Sequence, residues 1–314
     1  MAGIVRRTSL ALGLVLVIAA AGAAAWLWPR ARSTNSTSAA PSGTTASTAQ
    51  PSANASTAPA PLIVLQLNGA TAERVTSGSP VFFTLSLTGS PGQPAIRLGA
   101  SGSPWTASVR FETATGAPLP FRVESVGRAV SYPAGSRERG DDRAIAGEDI
   151  AVVDGARIHR AQFGVSPDEA SRIPRGKHEI RAVLAPQGQT APSSTSNVVA
   201  LTVEQPSGDA AQLAVAEKSR LVASARFHLR ASRWDDAHRV ALEIAKRSDA
   251  DTVAYMLLAD ALNGLRRDEE ALAAYEEALG ALPANTTESP DYILARMEEV
   301  RGRLEATAAK REAK

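Results

Sequence analysis

Residues 251–283 read DTVAYMLLADALNGLRRDEEALAAYEEALGALP. Their apolar positions follow helical spacing in two runs, Val253 to Leu262 and Ala271 to Leu282. Gly264 and the charged stretch 266–270 separate the runs. Asp268 is expected to cap the second helix, with Glu269 and Glu270 in its positively polarised first turn. Ala259 and Ala271 are small enough to let the two helices approach closely. Tyr255, Leu258, Leu262 and Tyr275 are expected to fill the space around that contact. Pro283 ends the second helix, because proline lacks an amide donor and clashes with the preceding turn.

The same pattern occurs 34 residues earlier. Leu221 recurs as Tyr255, Ala225 as Ala259, Ala237 as Ala271 and Ala245 as Leu279. A fixed period in the thirties predicts stacked helical hairpins. The stretch resembles the tetratricopeptide repeat family. With a repeat starting at Thr252, the family's large residue falls on Tyr255, its leucine on Leu258 and its small residue on Ala259. The later alanine falls on Ala271, the aromatic on Tyr275, the next alanine on Ala278 and the proline on Pro283. Arg266 stands where the family has a glycine, and Leu262 where it usually has a tyrosine. The first copy, 218–251, keeps Leu221, Ala225, Trp234, Ala237 and Ala245 but has no terminal proline.

The resemblance implies two hairpins, 218–251 and 252–285, stacked into a curved surface that binds peptides or proteins. It implies an inner face built from the first helix of each pair. The candidates there are Arg226, Leu229 and Arg230 in one copy, and Met256, Asp260 and Asn263 in the other. The lysine and asparagine clamp that some family members use for terminal carboxylates is not recognisable. Such repeats need neighbours to cover their apolar faces. Residues 209–217 are expected to lengthen the first helix, and 289–305 to form a closing helix, giving a helical domain over 209–312. Ser289, Pro290 and Asp291 make its start signal. Tyr292, Leu294, Met297, Val300 and Leu304 make its apolar stripe.

Outward from the repeats, residues 62–204 carry short β-type runs between Gly, Pro and Ser clusters: 62–67, 81–87, 107–111, 121–125, 150–153, 157–163, 179–184 and 197–203. Phe83, Leu85 and Leu87 share one face, with Thr84 and Ser86 on the other; Ile180, Ala182 and Leu184 also point one way. This density of strands predicts a β-sandwich. The segments IPRGKHEIRAVLA and SNVVALTVE resemble the last hairpin of bacterial immunoglobulin-like domains, which implies a spacer or adhesive module.

The N-terminus supplies a stretch without charge, 8–28, long enough to cross a bilayer core. Trp26 and Trp28 mark its far edge. A retained single-span anchor over 1–32 and a cleaved signal peptide are both readings of this segment, and its length favours the anchor. Arginines flank both sides, so orientation rests on the downstream segments, a stalk and then a β-rich domain, both usual outside the cytoplasm. Residues 33–61 are dominated by Ser, Thr, Ala and Pro and cannot bury enough surface to fold.

Charge excludes a nucleic-acid partner. Residues 1–60 carry four arginines and no acid; 61–205 carry 14 basic and 13 acidic residues; 206–314 carry 16 and 19. The basic excess therefore sits beside the membrane segment, and neither folded part has the basic, aromatic face that nucleic acid needs. The absence of cysteine excludes disulfides and thiolate sites. No phosphate loop, HExxH, GxGxxG or GxSxG occurs. His159 and His178 are expected on neighbouring strands, and His228 and His238 on paired helices, without metal-ligand spacing. Asp141, Asp142, Glu148, Asp149 and Asp154 fit no calcium loop, and Trp105 and Tyr132 could stack on a sugar, though a lone aromatic of each kind in a β-domain is more often packing.

The expectation is a multidomain chain: membrane helix, disordered stalk, immunoglobulin-like β-sandwich, then all-α hairpins. Its expected role is a non-catalytic, membrane-anchored extracytoplasmic scaffold, periplasmic in a Gram-negative cell. It would use no cofactor and no metal and would recruit a protein partner through the repeats. The alternative is a β-domain that binds a ligand such as a cell-wall glycan, with the helices serving packing or homodimerisation.

Overall fold

A computed structural model describes residues 61–312 apart from 91, 93–94, 101, 136–144, 147–148, 186–192 and 284–289. The expected membrane segment, the stalk through residue 60 and most of the charged loop 137–149 lie outside the described residues. Among the described residues no helix is long and apolar enough to cross a membrane. What is described is a β-sheet region followed by a C-terminal helical region.

The strands, in chain order, are β1 (Leu62–Leu67), β2 (Ala72–Thr76), β3 (Val81–Thr88), β4 (Ile96–Leu98), β5 (Val109–Thr113), β6 (Glu124–Ser125), β7 (Val130–Pro133), β8 (Ile145–Ala146), β9 (Ala151–Val153), β10 (Arg157–Val165), β11 (Gly176–Leu184), β12 (Ser194–Thr195) and β13 (Val199–Glu204). A short helix, α1 (Pro167–Ala170), joins β10 to β11. One sheet is ordered β1-β3-β10-β7-β8, with β6 also on β10. The second is ordered β12-β11-β13-β2, with β5 also on β11. β13 and β2 run parallel, while β11 and β13 form an antiparallel pair. Strands β4 and β9 make a small ladder of their own.

Alternation explains the core. Val81, Phe83, Leu85 and Leu87 of β3 are buried, as are Ile180, Ala182 and Leu184 of β11 and Val199, Leu201 and Val203 of β13. The two sheets share one apolar cluster. The Phe111 ring of β5 lies 5.2 Å from Phe83 and 5.1 Å from Phe163, tying one sheet to the other.

Several expectations are corrected. Residues 107–111 are not one strand: Trp105–Ser108 form a 3-10 turn behind Pro104, and β5 starts only at Val109. Of 121–125 only the last two residues pair. His159 and His178 sit in different sheets, on β10 and β11. His159 is buried between the Ser131 hydroxyl, 2.7 Å from Nδ1, and the Val152 carbonyl, 2.9 Å from Nε2. A carbonyl only accepts, so Nε2 donates to it and the ring is a structural link. Trp105 is 1% exposed and Tyr132 is buried, so neither offers a face to a sugar. Among the described residues no group of three or more His, Asp or Glu is placed to hold a metal.

The helices are α2 (Ala210–Arg230), α3 (Trp234–Ala245), α4 (Thr252–Gly264), α5 (Asp268–Gly280) and α6 (Asp291–Glu312). Asp209 and Gln212 form a capping box at the start of α2. Asp251 caps α4 by accepting from the Ala254 amide at 3.0 Å. Asp268 is not a cap. It is the first residue of α5, after Arg267, and its carboxylate pairs with Arg303 of α6 at 2.6 Å. The closing helix is longer than expected and reaches Glu312. Its stripe is also displaced by one residue at the start: Ile293, Met297 and Val300 are buried, while Tyr292 and Leu294 are exposed. The spacing i, i+4, i+7 from Ile293 is the true helical face.

The links α2–α3 and α4–α5 each turn through one left-handed residue that is not glycine. Arg266 adopts φ 60°, and Ser232 in the α2–α3 link adopts φ 55°. These two left-handed residues are 34 apart, at the same place in each hairpin. A side chain there costs about 1 kcal/mol. Arg266→Gly is therefore expected to raise stability by about 0.5 kcal/mol, the gain being reduced by glycine's larger unfolded-state entropy. Urea unfolding would measure it, and a destabilised variant would contradict the strain argument.

The two regions are joined by more than the linker. Phe82 points away from the β core, on the face of β3 that otherwise carries Thr84 and Ser86. Its cross-strand partner on β10 is Gly164. The fully buried Phe227 of α2 covers that glycine and lies 6.0 Å from the Phe82 ring. A Cβ on Gly164 would come within 2.8 Å of the Phe227 ring, so the glycine leaves the seat for it. Arg230 lies 4.5 Å over the outer side of Phe82, and Arg233 donates two hydrogen bonds to Glu124, at 3.0 and 2.9 Å.

His228 stands edge-on to Phe227 at this seam, and its Nδ1 is buried without a hydrogen bond. Burial pushes its pKa below the ordinary value of 6.5, against the pull of Asp236 and Asp168 and with help from Arg233 and Arg239. The native ring is thus neutral where the unfolded chain takes up a proton. Stability is expected to fall as pH drops below about 6.5, because the unfolded state then binds more protons. Urea unfolding across this range should give a flatter slope for His228→Gln than for wild type. Equal slopes would remove His228 as the cause.

Candidate interaction groove

Three helices present one concave surface: α2, α4 and α6. A cavity of about 400 Å³ is lined by Arg226, Leu229, Arg230, Val253, Met256, Leu257, Asp260 and Tyr292. A second, of about 460 Å³, is lined by Leu229, Arg230, Trp234, Asp260, Asn263, Gly264, Arg266, Arg296 and Glu299. The two share Leu229, Arg230 and Asp260 and form one groove. All six residues expected on the inner face line it.

Their roles divide. Asp260 is occupied: its carboxylate accepts from the Tyr275 hydroxyl at 2.5 Å and the Tyr292 hydroxyl at 3.2 Å, and lies 3.7 Å from the Arg296 guanidinium. Burial, followed by the Asp260 charge, pushes both phenol pKa values up, so both hydroxyls stay protonated as donors. Asn263 is buried and accepts through Oδ1 from Arg303, which also donates to Asp268 and to Glu299. These two residues hold α6 against α4. They shape the groove and are not free to receive a ligand.

Leu229, Met256 and the neighbouring Val253 and Leu257 give the groove an apolar floor. Arg226 and Arg230 lie one helical turn apart on α2 and so share a face. Neither forms an ion pair among the described residues, and neither does Arg266. Loss of hydration, then the neighbouring Arg226 charge, lowers the pKa of Arg230.

Trp234, Arg266, Tyr292, Arg296 and Glu299 complete the walls and were not expected there. Trp234 comes from the start of α3 and packs on the backbone at Gly264, where an added Cβ would strike its ring. Tyr292 and Arg296 are four apart on α6, a spacing that marks one face once the helix phase is right.

No family model matches this sequence, and no curated protein matches it. Among solved structures, the chain is similar to a variant of the major pilin subunit of Bacillus cereus, at 12% identity and a TM-score of 0.25, over 46% of this chain and 40% of the pilin. It is also similar to a family 123 glycoside hydrolase from Clostridium perfringens, at 6% identity and a TM-score of 0.25, over 46% of this chain and 27% of the hydrolase. The chain thus spans less than half the length of either structure. Similarity at this level assigns neither family nor activity.

Proposed function

We propose that the protein is a non-catalytic scaffold that recruits a protein partner through the groove of α2, α4 and α6. In this reading the helices are tetratricopeptide-like hairpins and the β-region is an immunoglobulin-like sandwich. The N-terminal segment 8–28 anchors the chain, with the bulk outside the cytoplasm. The single supporting observation is that the first helices of both hairpins and the closing helix turn their open faces to one groove with an apolar floor. A groove of this kind suits an extended segment that buries side chains while its backbone stays hydrated.

The test is a crosslinking pull-down from native membranes, with full-length protein compared with the Leu229→Glu/Met256→Glu variant. Partners recovered by wild type should be lost by the variant. Removing the helices altogether is a poorer comparison, because it uncovers Phe82 and creates a new apolar surface. Partners that persist in the groove variant would move the function elsewhere. For the glycan reading of the β-region, the ring expected to stack on a sugar, Trp105, is sealed in the core.

A further inference from the structure

We infer that the groove selects an acidic peptide segment: carboxylates facing Arg226 and Arg230, and an apolar side chain seated on Leu229 and Met256. This rests on the groove being the partner site.

The argument starts from an arrangement that stability alone disfavours. Arg226 and Arg230 are like charges at i, i+4, a spacing that destabilises a helix. Most other arginines of the helical region are neutralised, among them Arg220 by Glu217, Arg233 by Glu124, Arg267 by Glu270 and Arg303 by Asp268. On the α6 wall of the groove Arg296 is paired as well, but on the α2 side the pattern stops. Arg226, Arg230 and Arg266 have no carboxylate within ion-pair distance among the described residues. The two carboxylates lining the groove are committed, Asp260 to Tyr275, Tyr292 and Arg296, and Glu299 to Arg296 and Arg303. Arg230 is also held in place by the Phe82 ring beneath it, which fixes the guanidinium at the groove mouth without neutralising it. An uncompensated guanidinium pair, one member of which is seated on an aromatic ring, is suited to receive carboxylates.

The apolar floor decides the class of ligand. Leu229, Val253, Met256 and Leu257 offer nothing to a sugar–phosphate backbone but would bury an aliphatic side chain. The surrounding region works against a polyanion: residues 206–314 carry 19 acids against 16 bases. A long nucleic acid would extend over this net-negative region, whereas a short peptide with a few acids meets only the groove.

Fluorescence anisotropy on the full chain tests this with three labelled probes: a short peptide alternating Glu with Leu and Ala, its counterpart with Lys for Glu, and a single-stranded oligonucleotide. The acidic peptide should bind best, weaken with added salt, and lose roughly tenfold or more with Arg226→Glu. Arg226 is the first variant because Arg230 also packs on the Phe82 ring at the seam; Arg226→Glu/Arg230→Glu comes second, with its thermal transition checked against wild type. Equal binding of both peptides, no binding of the acidic peptide, affinity unchanged by Arg226→Glu, or tighter oligonucleotide binding would each overturn the assignment. The pull-down separates this from failure of the groove itself. Partners lost with Leu229→Glu/Met256→Glu but kept by Arg226→Glu would leave the groove as the site and remove the acidic preference.

Discussion

Phe227→Ala is expected to lower stability by about 3–5 kcal/mol and to uncouple the helices from the β-region. The side chain is fully buried and contacts two regions at once. It fills the recess over Gly164, meets the Phe82 ring at 6.0 Å, and has the Arg233 guanidinium 5.7 Å from its centroid. Truncation removes the transfer energy of a whole aromatic ring and leaves a cavity that two sheet strands cannot collapse to fill. The polar contacts left across the seam include the Arg233–Glu124 pair, partly exposed and so worth little, and the Arg230–Phe82 contact, which loses its neighbour. Scanning calorimetry should show a transition lowered by roughly 10 °C and split in two. The linker 205–208 should become a protease site. Gly164→Val attacks the same contact from the β side, because its Cβ occupies the ring's place. If Phe227→Ala unfolds in one transition within about 1 kcal/mol of wild type, the seam is not what couples the regions.

This contact shows where the sequence is readable and where it is not. The helical hairpins are legible because their small and large residues repeat at 34. Strands β1, β3 and β13 are legible because one face is wholly buried and the other is not, and β10 and β11 because the same face is buried from His159 and from Ile180 onward. β2 escapes notice because neither of its faces is fully buried, and β4, β7 and β12 because they are short; β7 also contains Pro133. The seam itself left two traces. Phe82 breaks the polar phase of β3, and Phe227 corresponds to Ala261 in the second copy. Both are apolar bulk where a repeating pattern does not call for it. Only the fold pairs them, since they come together across 145 residues of chain. The groove divides similarly. Residues on α2 and α4 follow from the repeat, while Tyr292 and Arg296 depend on the phase of a helix whose stripe is weak.

Asp260→Ala is expected to cost about 2–4 kcal/mol and to loosen α6 before the rest of the protein. The residue reads as part of a ligand face from its position alone, but its bonds make it the anchor of the closing helix. Removing the carboxylate takes the acceptor from the Tyr275 hydroxyl in a fully buried site, frees Tyr292 and leaves Arg296 with Glu299 as its carboxylate partner. The figure is below that for a sealed ion pair because Asp260 and Arg296 keep 20% and 33% of their side-chain surface open. Tyr275→Phe removes one donor and leaves the carboxylate its other partners, so about 1 kcal/mol is expected. A double-mutant cycle between these variants should show strong coupling, because they share one bond. Hydrogen exchange should rise across α6 in Asp260→Ala while α2 and α3 keep their protection. A loss of partner binding in this variant would then come from a displaced wall carrying Tyr292 and Arg296. Exchange unchanged in α6, or a cost under about 1 kcal/mol, would return Asp260 to the ligand face. The comparison matters because the groove's charge depends on it: with Asp260 tied to two phenols and Arg296, the unpaired arginines of α2 set the sign of what the groove attracts.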